Sequence, residues 1–132
     1  MIEPYLPGQL SGAGGERRVQ AKFSQDGGAS FEKVMRVDDG QPIGRVDIEM
    51  VGSEAILTWL ERTEAGEGLV QFRRLSPSTG PGPSQTVAQT GGGRASGFPR
   101  MALFDDEIFV TWTEAYTRDG DSQVQISRIS SE

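Results

Sequence analysis

Two stretches of this 132-residue chain are apolar almost without interruption, Ala55-Ile56-Leu57-Thr58-Trp59-Leu60 and Ile108-Phe109-Val110-Thr111-Trp112-Thr113. Short continuous runs bounded by polar residues predict strands covered on both faces. Around them the pattern changes to strict alternation. Val70-Gln71-Phe72-Arg73 and Val19-Gln20-Ala21-Lys22 place apolar groups on one side only, which suits outer, half-exposed strands. Val46–Val51 and Arg100–Phe104 precede the two buried runs as first strands, and Phe31–Val37 and Gln85–Ala88 are expected as fourth strands.

The pattern repeats. With an offset of 53 residues, Gly44, Glu54, Thr58, Trp59 and Glu61 fall on Gly97, Glu107, Thr111, Trp112 and Glu114. Apolar positions coincide between them, as Ile48/Met101, Met50/Leu103, Ile56/Phe109 and Leu57/Val110 show. After a one-residue insertion, Val70–Ser76 matches Val124–Ser130, and a third copy of this segment begins at Val19. Repeats of this length, each holding up to four antiparallel strands, point to propeller blades. The expected fold class is all-β, a partial β-propeller of about two to three blades within one unit, 1–132. Residues 12–37 form a half blade, 44–88 a complete blade and 97–132 a three-stranded last blade, so the strands count two, four and three. Closed rings need about six such repeats, so the chain is expected to be a C-terminal part of a longer propeller. Met1–Leu10 reads as a remnant second strand, a linker or added sequence.

Composition narrows the chemistry. Eighteen glycines and 7 prolines spread along the chain mark frequent turns, which suits an all-β fold. There is no cysteine and no histidine, which excludes disulfides, a thiol nucleophile, a histidine-based triad and an ordinary zinc site. The net charge is −6 and the basic residues are dispersed, so no nucleic-acid surface is expected. No run approaches a membrane helix, no signal peptide is visible, and no metal or cofactor is expected. Gly91-Gly92-Gly93-Arg94 precedes no helical pattern and reads as an inter-blade loop rather than a phosphate loop. Asp119-Gly120-Asp121-Ser122 lacks calcium-loop spacing and reads as a hairpin tip, while Asp38-Asp39-Gly40 and Asp105-Asp106 read as turns.

One motif is specific. Ser24-Gln25-Asp26-Gly27-Gly28-Ala29-Ser30-Phe31 fills every slot of S-x-D-x-G-x-S/T-F/W, with Ser24, Asp26, Gly28, Ser30 and Phe31 at its specified positions. Glycines allow a tight reversal, the aspartate can accept hydrogen bonds from the turn, and the aromatic ring is expected beneath it. Ser76-Pro77-Ser78-Thr79-Gly80 is a degenerate copy with Ser78 in the aspartate's place, and Ser130-Ser131-Glu132 opens a third. On these residues the chain resembles the Asp-box, or BNR-repeat, sialidase-like β-propellers.

The resemblance implies a function and a site. In that family the active site lies on the blade end opposite the Asp-boxes, so Asp26 is expected to be structural. Family chemistry uses three arginines on a sialic-acid carboxylate, a tyrosine nucleophile paired with a glutamate, and an aspartate as acid/base. By position, Arg45, Asp47, Arg100 and Glu61 become substrate-binding candidates, and Tyr116 with Glu114 the catalytic pair. The family's Arg-Ile-Pro signature is absent, and Phe98-Pro99-Arg100 is not that motif. The expected function is therefore part of a sialidase-like glycoside hydrolase, inactive by itself, with a glycan as partner. The alternative is a non-catalytic glycan- or protein-binding, or structural, propeller module. The family is often secreted or periplasmic. Open edges and one-sided blades predict a homo-oligomer that completes a propeller.

Overall fold

A computed structural model describes the backbone of residues 2–5 and 115 and the complete residues 17–91, 97–114 and 121–129. These hold only strands: β1 (Ile2–Tyr5), β2 (Gln20–Phe23), β3 (Met35–Arg36), β4 (Pro42–Val51), β5 (Glu54–Arg62), β6 (Gly68–Ser76), β7 (Gly80–Pro81), β8 (Gln85–Thr90), β9 (Gly97–Phe104), β10 (Glu107–Ala115) and β11 (Ser122–Ile129). They make three separate antiparallel sheets, none of them closed. Sheet A runs β1-β2-β3, sheet B runs β4-β5-β6 with β7 and β8 both on β6, and sheet C runs β9-β10-β11. Neighbours in sequence pair with one another, so each sheet is an up-and-down meander.

The sheets stack face to face with B in the middle. Ala55, Leu57 and Trp59 of β5 share a core with Val19, Ala21, Phe23 and Val37 of sheet A and its flanks. Ile56 and Leu60, the alternate residues, share a second core with Met101, Ile108, Val110, Trp112 and Ile129 of sheet C. The continuous apolar run is thus explained, because successive side chains point to opposite faces and both faces of β5 are covered. Thr58, in the middle of the run, is fully buried and donates its hydroxyl to Gln71 O at 2.8 Å.

The repeat extends to backbone register. Gly44 faces Leu60 and Asp47 faces Thr58 across β4–β5, just as Gly97 faces Thr113 and Arg100 faces Thr111 across β9–β10. Both strand entries carry the same bulge. Gly44 and Arg45 have φ of 107° and 56°, and Gly97 and Phe98 have 94° and 53°. Two residues in the left-handed region at each site re-aim the strand, and the second is a costly place for a side chain. Arg45 gains a partial return there, since its guanidinium stacks 3.6 Å from the centroid of the Phe98 ring on the next sheet.

The first sheet has three strands rather than two, because Ile2–Tyr5 pairs with β2 from Ile2/Phe23 to Tyr5/Gln20. Of the readings open for the N-terminus, the second strand is the one observed. The expected fourth strand Phe31–Val37 shortens to Met35–Arg36. Upstream of it the ladder is replaced by a single bond, Glu32 N to Phe23 O at 2.7 Å. The turn itself holds that segment through side chains. Asp26 Oδ1 accepts from Ser24 Oγ and from Ser30 N, each at 2.8 Å, and Oδ2 accepts from Ser30 Oγ at 2.5 Å. Ser24 Oγ accepts from Gly28 N at 2.8 Å, with Gly27 and Gly28 at φ of 71° and 96°. Phe31 is only half-buried, with the Lys22 ammonium 4.7 Å above its ring.

Hydrogen bonds from Ser30 and Ser24 hold the Asp26 carboxyl at about 2, below its ordinary value of 3.8. A depressed carboxyl stabilises the fold above its unfolded value and loses that contribution as pH falls through the folded one. Wild type should therefore lose melting temperature between about pH 4 and pH 2 more steeply than Asp26→Asn, with the variant a few degrees lower at pH 7. Parallel Tm–pH curves for the two proteins would remove Asp26 from the turn's stability. In the degenerate copy only half of this network survives, as Ser76 Oγ meets Ser78 Oγ at 3.0 Å and accepts Ser78 N and Thr79 N at 3.3 Å.

Candidate functional site

Strand directions put the Ser24–Phe31 turn and the β4–β5, β6–β7 and β9–β10 turns at one end of the stack. The opposite end carries the entries to β2, β4 and β9 and the exits of β5 and β10. There the connection from β3 to β4, residues 37–41, is pinned by an unusual density of polar contacts. Val37 N bonds Val19 O at 2.8 Å, and Arg62 N bonds Gln41 O at 2.8 Å. Asp38 Oδ1 accepts Val19 N at 2.7 Å, and Oδ2 accepts Gly40 N and the Arg36 guanidinium at 2.9 Å. Burial pulls the Asp38 carboxyl upward, but the Arg36, Val19 and Gly40 hydrogen bonds outweigh it and leave it below its ordinary value.

Glu61 is the centre of this arrangement. It is buried, and its carboxylate accepts Trp59 Nε1 at 2.6 Å, Asp39 N at 3.2 Å, and Gln41 N. Arg73 completes the frame, donating to Val37 O and Asp39 Oδ1 at 2.8 Å each, with its guanidinium 5.8 Å from the Trp59 ring. Gln71 Nε2 reaches Asp39 Oδ2 at 3.3 Å. The turn expected at Asp38-Asp39-Gly40 is therefore a polar latch between sheets A and B, with Asp38 buried and Asp39 at the surface.

Beside the latch lies a shallow cleft of about 390 Å³, lined by Arg17, Gly40, Gln41, Pro42, Ile43 and Arg62. Arg17 and Arg62 are exposed and have no counter-ion among the described residues. Two guanidinium forks around exposed backbone make a surface suited to carboxylates. Among the described residues no side-chain hydroxyl or carboxylate lines the cleft.

The candidates from the sequence are spread over this stack rather than gathered. Glu61 is occupied as described. Asp47 Oδ2 accepts Met101 N at 2.7 Å and so ties β4 to the edge of sheet C. Arg45 stacks on Phe98. Arg100, whose repeat partner is Asp47, is exposed on the outer face of sheet C. Glu114, half-buried, has no hydrogen-bond partner among the described residues, and Trp112 Nε1, the counterpart of Trp59 Nε1, is buried without one. Tyr116 lies outside the described residues, as do most of the Gly91–Arg94 loop, Asp119-Gly120 and Ser130-Ser131-Glu132. Arg17 and Arg62 were missed. Arg62 follows Glu61 at a strand exit and was legible there, but Arg17 reaches the cleft only because sheets A and B stack. Among the described residues no cluster of acidic residues has metal-binding geometry.

Comparison with protein-family models, curated proteins and solved structures finds no match to this chain.

Proposed function

We propose that the chain is a run of Asp-box β-propeller blades that binds a carboxylated glycan at the Arg17–Arg62 cleft without hydrolysing it. The observation that carries this reading is the cleft itself. It sits at the end of the stack opposite the Ser24–Phe31 turn and offers two guanidinium groups with no counter-ion among the described residues, while Glu61, the adjacent carboxylate, is taken up by its own N–H donors. Guanidinium groups recognise a sugar carboxylate through paired N–H···O bonds. Calorimetry against a sialic-acid-terminated trisaccharide should show binding that is absent for the uncharged asialo sugar. Arg17→Ala/Arg62→Ala should weaken it at least tenfold at unchanged Tm. Equal binding of the charged and neutral sugars would contradict the reading.

One observation favours a second reading, in which the blades belong to a sialidase-like hydrolase. Glu114 has no hydrogen-bond partner among the described residues, where its counterpart Glu61 has three, and it lies two positions before Tyr116 in sequence. The third arginine and the acid/base aspartate would then come from other blades. This chain alone is expected to release no fluorophore from a fluorogenic sialoside. Turnover abolished by Tyr116→Phe would decide for the hydrolase.

A further inference from the structure

In sheets A and B the strand that carries the repeated Val-Gln segment has a neighbour on its far edge. β2 carries β3 there, with Gln20 opposite Arg36 and Ala21 opposite Met35, and β6 carries β8 from Gly68/Thr90 to Phe72/Gln85. Their counterpart β11 ends sheet C, and no described strand lies beyond it. The N–H and C=O groups on that side form an open row, the usual template for adding a strand.

Nothing along β11 blunts this edge. It pairs with β10 at every residue from Ser122 to Ile129 without a register shift. It contains no proline or glycine, and its one charged residue, Arg128, is held by Glu107 at 3.1 Å. The other outer strands are interrupted or short. β1, β4, β7 and β9 contain Pro4, Pro42, Pro81 and Pro99, β8 is bulged at Val87, and β3 is only Met35–Arg36. Prolines, bulges and shortness are the devices that keep an edge from pairing, and β11 has none of them.

We propose that the free edge of β11 pairs with β11 of a second copy of this chain, antiparallel about a two-fold axis, so that the two copies of sheet C become one continuous sheet. The occupant follows from the comparison of edges. β11 is the one long, uninterrupted edge among the described strands, and a two-fold axis sets it against itself. Its sequence also matches its own reverse. With Gln125 on the axis, Val124 faces the partner's Ile126, Gln123 the partner's Ser127, and Ser122 the partner's Arg128. Val124 and Ile126 are 73% and 64% exposed on the outer face, so the dimer gains an apolar cross-strand pair on each side of the axis and opposes no like charges. Gln123, Gln125 and Ser127 alternate onto the other face with Ile129, the face turned toward sheet B, and meet there as polar pairs. Main-chain hydrogen bonds rather than buried area supply the affinity, as in strand addition generally. Pairing uses up this edge in both copies, so association stops at two.

Sedimentation equilibrium of the full chain across the micromolar range should show the 14.3 kDa monomer in exchange with a species of twice that mass and nothing larger. Val124→Lys with Ile126→Lys, both at exposed positions, sets lysine across from lysine and should weaken the dimer about tenfold or more at unchanged circular dichroism. Position 125 separates an edge contact from a face contact, because Gln125 points to the face opposite Val124 and Ile126. The chain has no cysteine, so Gln125→Cys can be joined to its own copy by a short bismaleimide, whereas Phe104→Cys, exposed on the outer face of β9 at the far side of the sheet, should not be. A monomer at every concentration overturns the proposal. So does a dimer that the two lysines leave intact, or one that cross-links through Phe104→Cys but not through Gln125→Cys.

Discussion

Replacing Glu61 by alanine should lower the unfolding free energy by about 2–4 kcal/mol, since it orphans the buried Trp59 indole N–H and two part-buried amides, and a buried donor costs about 1–3 kcal/mol when left unpaired. The donors come from two elements, the Trp59 indole on β5 and the Asp39 and Gln41 amides of the incoming connection. Losing the carboxylate therefore loosens the sheet A–sheet B junction as well as the strand. Glu61→Gln keeps an acceptor in place and should cost about half as much. The control is built into the repeat. Glu114→Ala removes the same residue type from the matching position of sheet C, yet its carboxylate has no partner among the described residues. That change should cost under about 1 kcal/mol. Urea titrations followed by tryptophan fluorescence give both values, and equal losses at the two sites would refute the latch.

The second large effect concerns the two bulge glycines. Gly97→Ala should destabilise by about 2–4 kcal/mol and Gly44→Ala by about 1–2, because strained φ and steric overlap act together only at the first. Both positions have positive φ, 94° and 107°, so each alanine meets the left-handed penalty. At Gly44 a Cβ would enter open space, whereas at Gly97 it would collide with the Leu60 isobutyl group of sheet B. The close approach is the point where sheet C's first strand lies against β5. In a Leu60→Ala background the Gly97 penalty should fall to that of Gly44. If the two glycines cost the same in wild type, the sheets do not approach as described.

Much of this fold was legible in the residue pattern, for physical reasons. Ala55–Leu60 could be continuous and apolar only if both faces of the strand were covered, and the two cores confirm it. The 53-residue offset carried the register because matching turns and bulges set matching pairings. The hydrogen-bonded turn at Ser24–Ser30 was legible because its hydrogen bonds all lie within seven residues. What escaped was non-local. Glu61 read as a site candidate because its amide partners lie 20 and 22 residues away, across a sheet junction. Asp47 was misleading for the same reason, its acceptor role being 54 residues distant. Phe31 was expected beneath the turn, but it is only half-buried, with the Lys22 ammonium of β2 over its ring. Neither Arg45 nor Phe98 signals a positive φ, since only glycine announces one.

The face-to-face stack with β5 at its centre underlies every part of this account, and methyl-resolved NOESY spectra test it directly. The Trp59 ring should show cross-peaks to methyls of Val19, Ala21 and Val37, and the Trp112 ring to methyls of Ile56, Leu60 and Val70, from the two cores on opposite faces of sheet B. Cross-peaks from Trp59 to Ile108 or Val110, or none between sheets, would contradict it.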